Sequence, residues 1–354
     1  MIGERIKLAR GAAGLSLRAL ADQVGVSAQA ISKYERGLDI PSSGVLLRLA
    51  QALGVELEYF FRTRTLKIQT PAFRKRSRLP AAGRKRVMGL AQEWIERHLD
   101  VEDLFPDRAS ALPSSALWEI RKPIGSLEEV EEQADHLRRI WNIGTDPIEN
   151  LTELLEDRGV RVGLIDAQPG FDACLFETED GQPVIVVNRN LPGDRQRFSL
   201  GHELGHAVLA LEEVDAEKAA NRFAGAFLVP AETARRELGN RRRTLSVYEL
   251  GLLKQKYGLS MQAWIYRAMD LKILSQAAAA NLFKHFRKQG WHLSEPGKPI
   301  PREQPRLLER LVLRALAEDV VSESRAAELL GKPLSHLYQE VAAEHGDVPP
   351  DPRN

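Results

Sequence analysis

The chain has 354 residues, of which 43% are hydrophobic and 28% charged, a balance typical of soluble proteins with two or three domains. Its single cysteine, Cys174, excludes an intrachain disulfide and a cysteine-rich zinc knuckle, and favours a reducing compartment. The net charge of +1 indicates no class of partner, because opposite charges are segregated along the chain. No apolar run is long enough to cross a bilayer, and the charged N-terminal segment lacks the apolar core of a signal peptide. We therefore expect a cytoplasmic protein without a membrane partner.

Residues 1–62 are predicted to form an all-α domain of five short helices. Ser16 and Ser27 stand where N-caps would begin two of these helices, and Gly25 and Gly37 stand where the same helices would end. We expect this domain to fold on its own.

The segment LSLRALADQVGVSAQAISKYERG combines small residues and apolar anchors, which let two short helices cross closely. The second helix, residues 27–36, presents polar side chains suited to a DNA major groove, namely Ser27, Gln29, Ser32 and Lys33. Gln29 can reach base edges, and Ser32 and Lys33 can contact bases or phosphates. Three arginines could hold phosphates: Arg10, Arg18 and Arg36.

This segment resembles the helix-turn-helix of phage-repressor (XRE-type) regulators over about sixty residues. The resemblance implies a double-stranded DNA operator as partner. Because units of this type pair on near-palindromic sites, we expect a homodimer. The alternative for the same pattern is a helical module that binds another protein.

Residues 63–115 are predicted to be a basic linker followed by a connecting helix. From Thr63 to Gln92 the sequence has no acidic residue, and Pro71 and Pro80 interrupt the run. Such a tract can attract DNA electrostatically, or it can be a solvated surface.

Residues 126–230 are predicted to form an α+β domain. Two amphipathic helices are followed by the strand VRVGLID and by a hairpin in CLFETEDGQPVIVVN, which turns near Asp180 and Gly181. Two helices then follow, in RQRFSLGHELGHAVLAL and EKAANRFAGAFL. Residues 231–345 are predicted to be a separate C-terminal helical domain, so the fold class is α+β and multidomain.

The first of those two helices contains the motif H-E-x-x-H. His202 and His206 are four residues apart and project from one face of a helix, so both imidazoles can bind one metal ion. Glu203 lies one position further round, where it can take a proton from water without being a ligand. The alternative is a pair of exposed histidines beside a solvated glutamate.

A catalytic zinc takes three protein ligands, so a third ligand must come from the segment that follows. The candidates are Glu212, Glu213, Asp215 and Glu217. We favour Glu217, because it opens a helix that the preceding gap allows to fold back against the first.

The segments RFSLGHELGHAVL and EKAANRFAGAFLVP resemble the ImmA/IrrE metallopeptidases, and the resemblance covers about 105 residues. It implies a zincin-like α+β domain in which His202, His206 and Glu217 bind zinc and Glu203 is the general base. Zn²⁺ is therefore the expected cofactor, although manganese or iron could substitute.

The sequence departs from that family's pattern in three places. Gly201 replaces the usual alanine, Ala219 stands where Glu or Gln is common, and the gap before Glu217 is short. The short gap limits how far Glu217 can reach back to the two histidines as the third ligand.

The two segments together predict a DNA-binding transcriptional regulator with a zinc-dependent endopeptidase centre. In the family, peptidases cleave a partner repressor and relieve repression, so we expect a protein substrate or partner that is a repressor or a toxin. The alternative is an antitoxin-type or ligand-sensing regulator whose zinc domain is structural or sensory. The neighbouring gene would discriminate between the two, since a toxin gene favours the second.

Overall fold

A computed structural model of the chain describes residues 2–55, 57–62, 79–105, 117, 120–178 and 181–335. Most of the predicted linker (63–78 and 106–116), Asp180 at the predicted hairpin turn and residues 336–345 lie outside the described residues. Within the described part, no helix is long and apolar enough to cross a membrane.

The described residues form fifteen α-helices, one 3-10 helix and five strands, which confirms the predicted mixed α+β class. In chain order the elements are α1 (Ile2–Ala12), α2 (Leu17–Val24), α3 (Ala28–Glu35), α4 (Ser43–Leu53), the 3-10 helix (Leu57–Phe61), α5 (Ala81–Glu102), β1 (Lys122–Ile124), α6 (Leu127–Ile140), α7 (Leu151–Asp157), β2 (Arg161–Ile165), β3 (Ala173–Glu177), β4 (Pro183–Asn188), α8 (Gly193–Val208), β5 (Leu209–Leu211), α9 (Ala216–Leu228), α10 (Ala231–Leu238), α11 (Val247–Tyr257), α12 (Met261–Asp270), α13 (Gln276–Lys288), α14 (Leu307–Ala317) and α15 (Glu323–Leu330).

The chain divides into two compact units. The first unit contains the described residues of Met1–Leu66, Pro80–Leu112 and Arg306–Asn354, and the second those of Lys67–Leu79 and Pro113–Pro305. The first unit therefore holds α1–α5, α14 and α15, and the second holds every strand together with α6–α13.

The first unit begins with the predicted short helices, as four α-helices and a 3-10 helix. Ser16 caps α2 by accepting a hydrogen bond from the backbone N–H of Ala19 at 3.0 Å. Ser27 caps α3 in the same way through Ala30 at 3.1 Å. Gly25 ends α2 in the left-handed conformation (φ 73°), which glycine adopts without a steric penalty.

The connecting helix α5 packs directly against α1. A Cβ added to Gly89 would lie 2.7 Å from the backbone nitrogen of Ala12, so only glycine allows this approach. Arg5 of α1 forms an ion pair with Glu96 of α5, and both side chains are only 1% exposed. We therefore expect residues 1–62 to be less stable without α5, because removing α5 would leave Arg5 without its buried counter-charge.

Two more ion pairs join the last helices to the same unit. Glu328 of α15 pairs with Arg62, and Arg325 of α15 pairs with Asp100 of α5 at 3.2 Å. A small apolar core between α5, α14 and α15 includes Val101, Leu311 and Val312, so hydrophobic burial reinforces the ion pairs.

The second unit is built on a three-stranded sheet in the order β2-β4-β3. β2 is parallel to β4 and β3 is antiparallel to it, which confirms the predicted strand and hairpin. β3 lies at the edge of this sheet. The parallel pair of β1 with β5 was not predicted from the sequence, and β5 lies in the gap between α8 and α9.

Helices α10–α13 share the hydrophobic core of the second unit. One continuous cluster of buried side chains runs from Leu117 to Phe286 and includes Trp264 and Ile265 of α12. The predicted boundary at residue 231 is therefore not a boundary of the structure. The apolar faces of these helices are covered by the helices and strands that precede them, and α14 and α15 belong to the first unit.

The segment between α13 and α14 carries two glutamates that bind the N-termini of other helices in the second unit. Glu295 accepts hydrogen bonds from the backbone N–H groups of Met261 and Gln262 at the start of α12. Glu303 does the same for Leu151 and Thr152 at the start of α7. Carboxylates at these positions satisfy backbone donors that have no partner within the helix.

Candidate functional site

The two histidines of the H-E-x-x-H motif lie side by side on α8. Their Nε2 atoms are 3.1 Å apart, and the side chains of His202 and His206 are 15% and 11% exposed. Helical spacing of four residues gives this arrangement, because such residues are neighbours on one face. Both imidazoles can thus donate a nitrogen lone pair to the same metal ion.

Glu217 joins these histidines from the first turn of α9. Its carboxylate oxygens lie 3.5 Å from Nε2 of His202 and 3.7 Å from Nε2 of His206. One ligand atom from each of the three residues lies within 4.8 Å of the others. The structure therefore brings together the three residues that the sequence predicts as metal ligands.

Small residues on α8 explain why α9 comes so close. A Cβ on Gly205 would lie 3.1 Å from the ring of Phe223, and a Cβ on Gly201 would lie 3.4 Å from Ala224. The two helices can therefore pack with little space between their backbones, and Glu217 reaches the histidines despite the short gap before it.

The other candidate ligands have different positions. Asp215 is the N-cap of α9, where its side chain accepts a hydrogen bond from the backbone N–H of Lys218 at 2.9 Å. Glu212 and Glu213 are exposed in the preceding turn and are not part of the cluster that the described residues form around His202. Of the four acids, Glu217 alone belongs to that cluster.

Asn221 orients His202, a role that the sequence analysis did not assign. Its Oδ1 lies 2.9 Å from Nδ1 of His202. An amide oxygen only accepts, so Nδ1 carries the proton and the lone pair of Nε2 faces Glu217 and His206. Asn221 follows Glu217 by four residues, and this spacing on one helix face is the signal that could have identified it.

The electrostatics of the cluster favour a positive charge. Burial alone would lower the pKa of His202, but the hydrogen bond to Glu217, the charges of Glu203 and Glu217 and the hydrogen bond to Asn221 together raise it above its ordinary value. Without a metal, His202 therefore binds a proton more readily than an ordinary histidine does. The same acidic groups suit a bound cation.

Glu203 contacts the edge of the sheet. Its Oε2 accepts a hydrogen bond from the backbone N–H of Leu175 in β3 at 2.8 Å. Asp172 and Thr178 flank β3, and their backbone groups hydrogen-bond to the β4 side of the hairpin. Because successive residues of a strand alternate, the N–H and C=O groups of residues 173, 175 and 177 point away from β4. The carboxylate of Glu203 thus lies along the outer edge of β3.

The residues present fit a zinc ion. Two imidazoles and one carboxylate are a donor set that catalytic zinc accepts, with a fourth position left for water. A histidine ligand whose other nitrogen is held by an oxygen acceptor, as Asn221 holds His202, is typical of such sites. Glu203 lies beside the donor cluster without belonging to it.

The DNA-facing residues predicted on α3 have mixed positions. Gln29, Lys33 and Arg36 are exposed, Ser32 is half-buried, and Ser27 is exposed at the N-cap. Arg18, on α2, is also exposed. Side chains of the size and polarity that a major groove accommodates therefore extend along the outer side of α3.

Arg10 is a correction to that prediction. Its guanidinium donates to both carboxylate oxygens of Glu35, at 2.5 and 2.9 Å, and to the carbonyl oxygen of Leu15. A bidentate pair with these side chains 14% and 8% exposed holds α1 against α3 and leaves no charge to offer a phosphate.

The helix pair α11 and α12 has a sequence pattern similar to that of helix-turn-helix segments, but five of the ten residues of α12 are buried. Trp264 and Ile265 lie in the core, and Arg267 is paired with Glu131. A recognition helix needs an exposed polar face, so we assign this pair to packing.

Two separate segments of the chain match family models. Residues 6–60 match the family model described as helix-turn-helix, and residues 155–269 match the model described as the IrrE N-terminal-like domain. The second match runs from α7 to α12 and contains the histidine cluster.

The curated relatives match over 60 to 69 residues. An uncharacterized transcriptional regulator in the ATPase CF(0) region of Rhodospirillum rubrum is 43% identical over 60 residues, which are 17% of this chain and 56% of that protein. The uncharacterized HTH-type transcriptional regulator y4wC of Sinorhizobium fredii is 35% identical over 69 residues, 20% of this chain and 48% of that protein. The chain thus spans about half the length of these relatives.

Among solved structures, the apo form of ComR from S. thermophilus aligns over 93% of this chain and 98% of its own. The sequence identity is 12% and the TM-score is 0.17, which is too low for a shared fold to follow.

Proposed function

We propose that this chain, which carries an XRE-type helix-turn-helix segment and an IrrE N-terminal-like domain, is a DNA-binding transcriptional regulator with a zinc-dependent endopeptidase centre. The observation that carries the proposal is the convergence of His202, His206 and Glu217, with Glu203 beside them. The names of the relatives support the regulatory part.

His202, His206 and Glu217 would hold the zinc, and Asn221 would keep His202 in the tautomer that presents Nε2. A bound Zn²⁺ would supply Lewis-acid activation of water and polarisation of a peptide carbonyl. The excess of acidic groups around His202 supports a divalent cation as occupant.

Glu203 would act as the general base. It is adjacent to His202 in sequence, and its carboxylate accepts a hydrogen bond from the backbone N–H of Leu175, so it can exchange a proton with water without being a metal ligand. The same carboxylate would then return the proton to the leaving nitrogen of the cleaved peptide bond.

The edge of β3 suggests how a protein substrate would bind. The N–H and C=O groups of Ala173 and Glu177 point away from β4, on either side of the residue that contacts Glu203. An extended polypeptide can pair with such an edge as an added strand, which would bring its backbone past the catalytic carboxylate. The substrate class is therefore an unfolded or looped segment of a protein, which we propose to be a repressor or a toxin.

The DNA-binding part rests on α3. Gln29 would read base edges, Ser32 and Lys33 would contact bases or phosphates, and Ser27, Arg18 and Arg36 would position the helix on the backbone. We further propose a homodimer on a near-palindromic operator and a cytoplasmic location.

Co-expression with the products of the two neighbouring genes tests the peptidase assignment. Wild type should produce a defined fragment of one partner, and Glu203→Gln should not. Glu212→Gln is the matched control, because it removes an exposed acid outside the metal cluster and should leave cleavage intact. A fragment that persists in Glu203→Gln would contradict the assignment. Zinc retention without any cleavage would favour a sensory or antitoxin-type regulator instead.

A further inference from the structure

Three consecutive arginines, Arg241, Arg242 and Arg243, follow α10 in the second unit. The middle one is half-buried and paired within the unit. Its guanidinium donates to both carboxylate oxygens of Glu249 at 2.9 Å, and its backbone N–H donates to the carbonyl oxygen of Ile273 at 2.8 Å. These contacts fix the loop between α10 and α11 to the turn that follows α12.

The flanking arginines are exposed. Lys272 is exposed as well, and it precedes Ile273, whose carbonyl oxygen accepts the hydrogen bond from the loop backbone. We call Arg241, Arg243 and Lys272 the arginine-loop surface. It presents three cations on a backbone that is already ordered, which lowers the entropy cost of binding an anion.

Two nearby acids are already paired, one with Arg242 itself, and neither pairs with the flanking arginines. Glu249 is taken by Arg242. Glu237 accepts hydrogen bonds from Nζ of Lys256 and from the hydroxyl of Tyr257, both at 2.7 Å. Glu249 therefore balances the charge of Arg242 and Glu237 that of Lys256, and the charges of Arg241 and Arg243 remain.

Ordinary solvation is the competing explanation for exposed cations. It accounts well for Lys284, Arg287 and Lys288, which lie in the last two turns of α13, where positive charge offsets the helix dipole. Arg241 and Arg243 lie outside any helix, so the dipole does not explain why two arginines flank the one that anchors the loop.

We propose that the arginine-loop surface binds the phosphate backbone of DNA without reading sequence. Guanidinium groups match phosphate oxygens in a bidentate geometry. DNA is the polyanion that the proposed α3 contact would bring to the same molecule, and in this respect the inference rests on the proposed function. The second unit would thus add affinity, and α3 would supply the discrimination between sites.

The test is the salt dependence of DNA binding by the full chain. Fluorescence anisotropy would follow a random duplex and the duplex upstream of the chain's own gene over roughly 50–200 mM KCl. Each phosphate contact contributes about 0.9 to the slope of log affinity against log salt. Arg241→Gln/Arg243→Gln/Lys272→Gln should therefore reduce the slope by about 2 to 3 on both duplexes and leave their affinity ratio unchanged.

The matched control is Lys284→Gln/Arg287→Gln/Lys288→Gln, which removes the same charge from the same unit. Its slope should stay within about 0.5 of wild type. Equal slopes for wild type and the loop variant would overturn the inference, and so would equal reductions in both variants, which would reflect net charge alone. A reduction seen with single-stranded RNA but not with duplex DNA would overturn it as well.

Two further readouts separate failure of this inference from other failures. The melting temperature of the loop variant should match wild type, and Arg241→Gln/Arg243→Gln alone should give about two thirds of the slope change. If wild type binds neither duplex at the lowest salt, the proposed DNA-binding function fails too. If wild type binds and the slope of the loop variant does not change, only the arginine-loop surface is wrong.

Discussion

Asn221 Oδ1 lies 2.9 Å from Nδ1 of His202 and thereby sets which nitrogen of that ring faces the acidic cluster. The contact joins two helices, since His202 is on α8 and Asn221 is on α9. Glu217 lies one turn before Asn221 on the same helix, so α9 supplies both a candidate ligand and the residue that orients another ligand.

Replacing Asn221 should weaken metal binding without removing a ligand. Asn221→Ala frees the ring of His202, and loss of such an outer contact lowers metal affinity about 10- to 100-fold. Competition with a chromophoric chelator measures this affinity. Asn221→Asp should restore it, because a carboxylate also accepts from Nδ1. Lys218→Ala, on the exposed side of α9, is the control, and an affinity loss as large in Lys218→Ala would mean that the effect is structural.

The glycines of α8 should respond differently to alanine. At Gly205 a Cβ would press on Phe223 at 3.1 Å, and overpacking of this kind costs about 1–3 kcal/mol, which exceeds the gain of about 1 kcal/mol in helix propensity. At Gly201 the nearest atom would be 3.4 Å away, so Gly201→Ala should be neutral or stabilising by about 0.5–1 kcal/mol. Urea unfolding in the presence of a chelator compares the two, and an equal loss in both variants would contradict this account of the packing.

The pair of Glu328 with Arg62 should make the first unit sensitive to acid. Burial alone would raise the pKa of Glu328, but hydrogen bonds from Arg62 and Arg325 outweigh it and lower the pKa below the ordinary value of 4.5. A carboxyl with a lowered pKa stabilises the fold above its unfolded pKa, and this stability is lost as the pH falls through the folded pKa.

Glu328→Gln should accordingly lower the free energy of unfolding at pH 7 by about 3 kcal/mol, because it leaves Arg62 without its buried counter-charge. The difference from wild type should shrink as the pH falls below 4.5. Glu318→Gln, in the exposed pair with Arg314, should cost less than about 0.5 kcal/mol. A difference between Glu328→Gln and wild type that is constant with pH would show that the carboxylate charge is not responsible.

Substitutions on the helix-turn-helix should separate base recognition from phosphate binding. Gln29→Ala should reduce the ratio of affinities for the upstream duplex and a random duplex about 10-fold, since a bidentate base contact contributes about 1–3 kcal/mol to discrimination. Arg36→Ala should weaken binding to both duplexes alike and flatten the salt dependence. Arg10→Ala should instead lower thermal stability, because Arg10 is paired with Glu35. An unchanged affinity ratio in Gln29→Ala would rule out its contact with bases.

Local patterns in the sequence were enough to predict the helices that carry the candidate sites. Ser16, Ser27 and Gly25 act as helix boundaries through their own backbone and side-chain chemistry, which depends on a few neighbouring residues. The spacing of His202 and His206 likewise fixes their common face within one helix.

Features that depend on distant residues could not be predicted. The pairing of Arg5 with Glu96 joins positions 91 residues apart, and nothing near either residue indicates the other. The same holds for Leu175 and Glu203, whose contact depends on how α8 packs on the sheet. The burial of Trp264 places α12 in the core of the second unit, and an amphipathic pattern alone does not say which surface a helix covers.

The zinc content of the purified chain tests the metal centre most directly. Metal analysis after desalting should find about one zinc per chain in wild type and in Glu203→Gln, because a general base is not a ligand. His202→Ala, His206→Ala and Glu217→Ala should each retain less than about a tenth of that amount, since each removes one of three donors. Zinc retained in all three variants, or lost in Glu203→Gln as fully as in His202→Ala, would contradict the account.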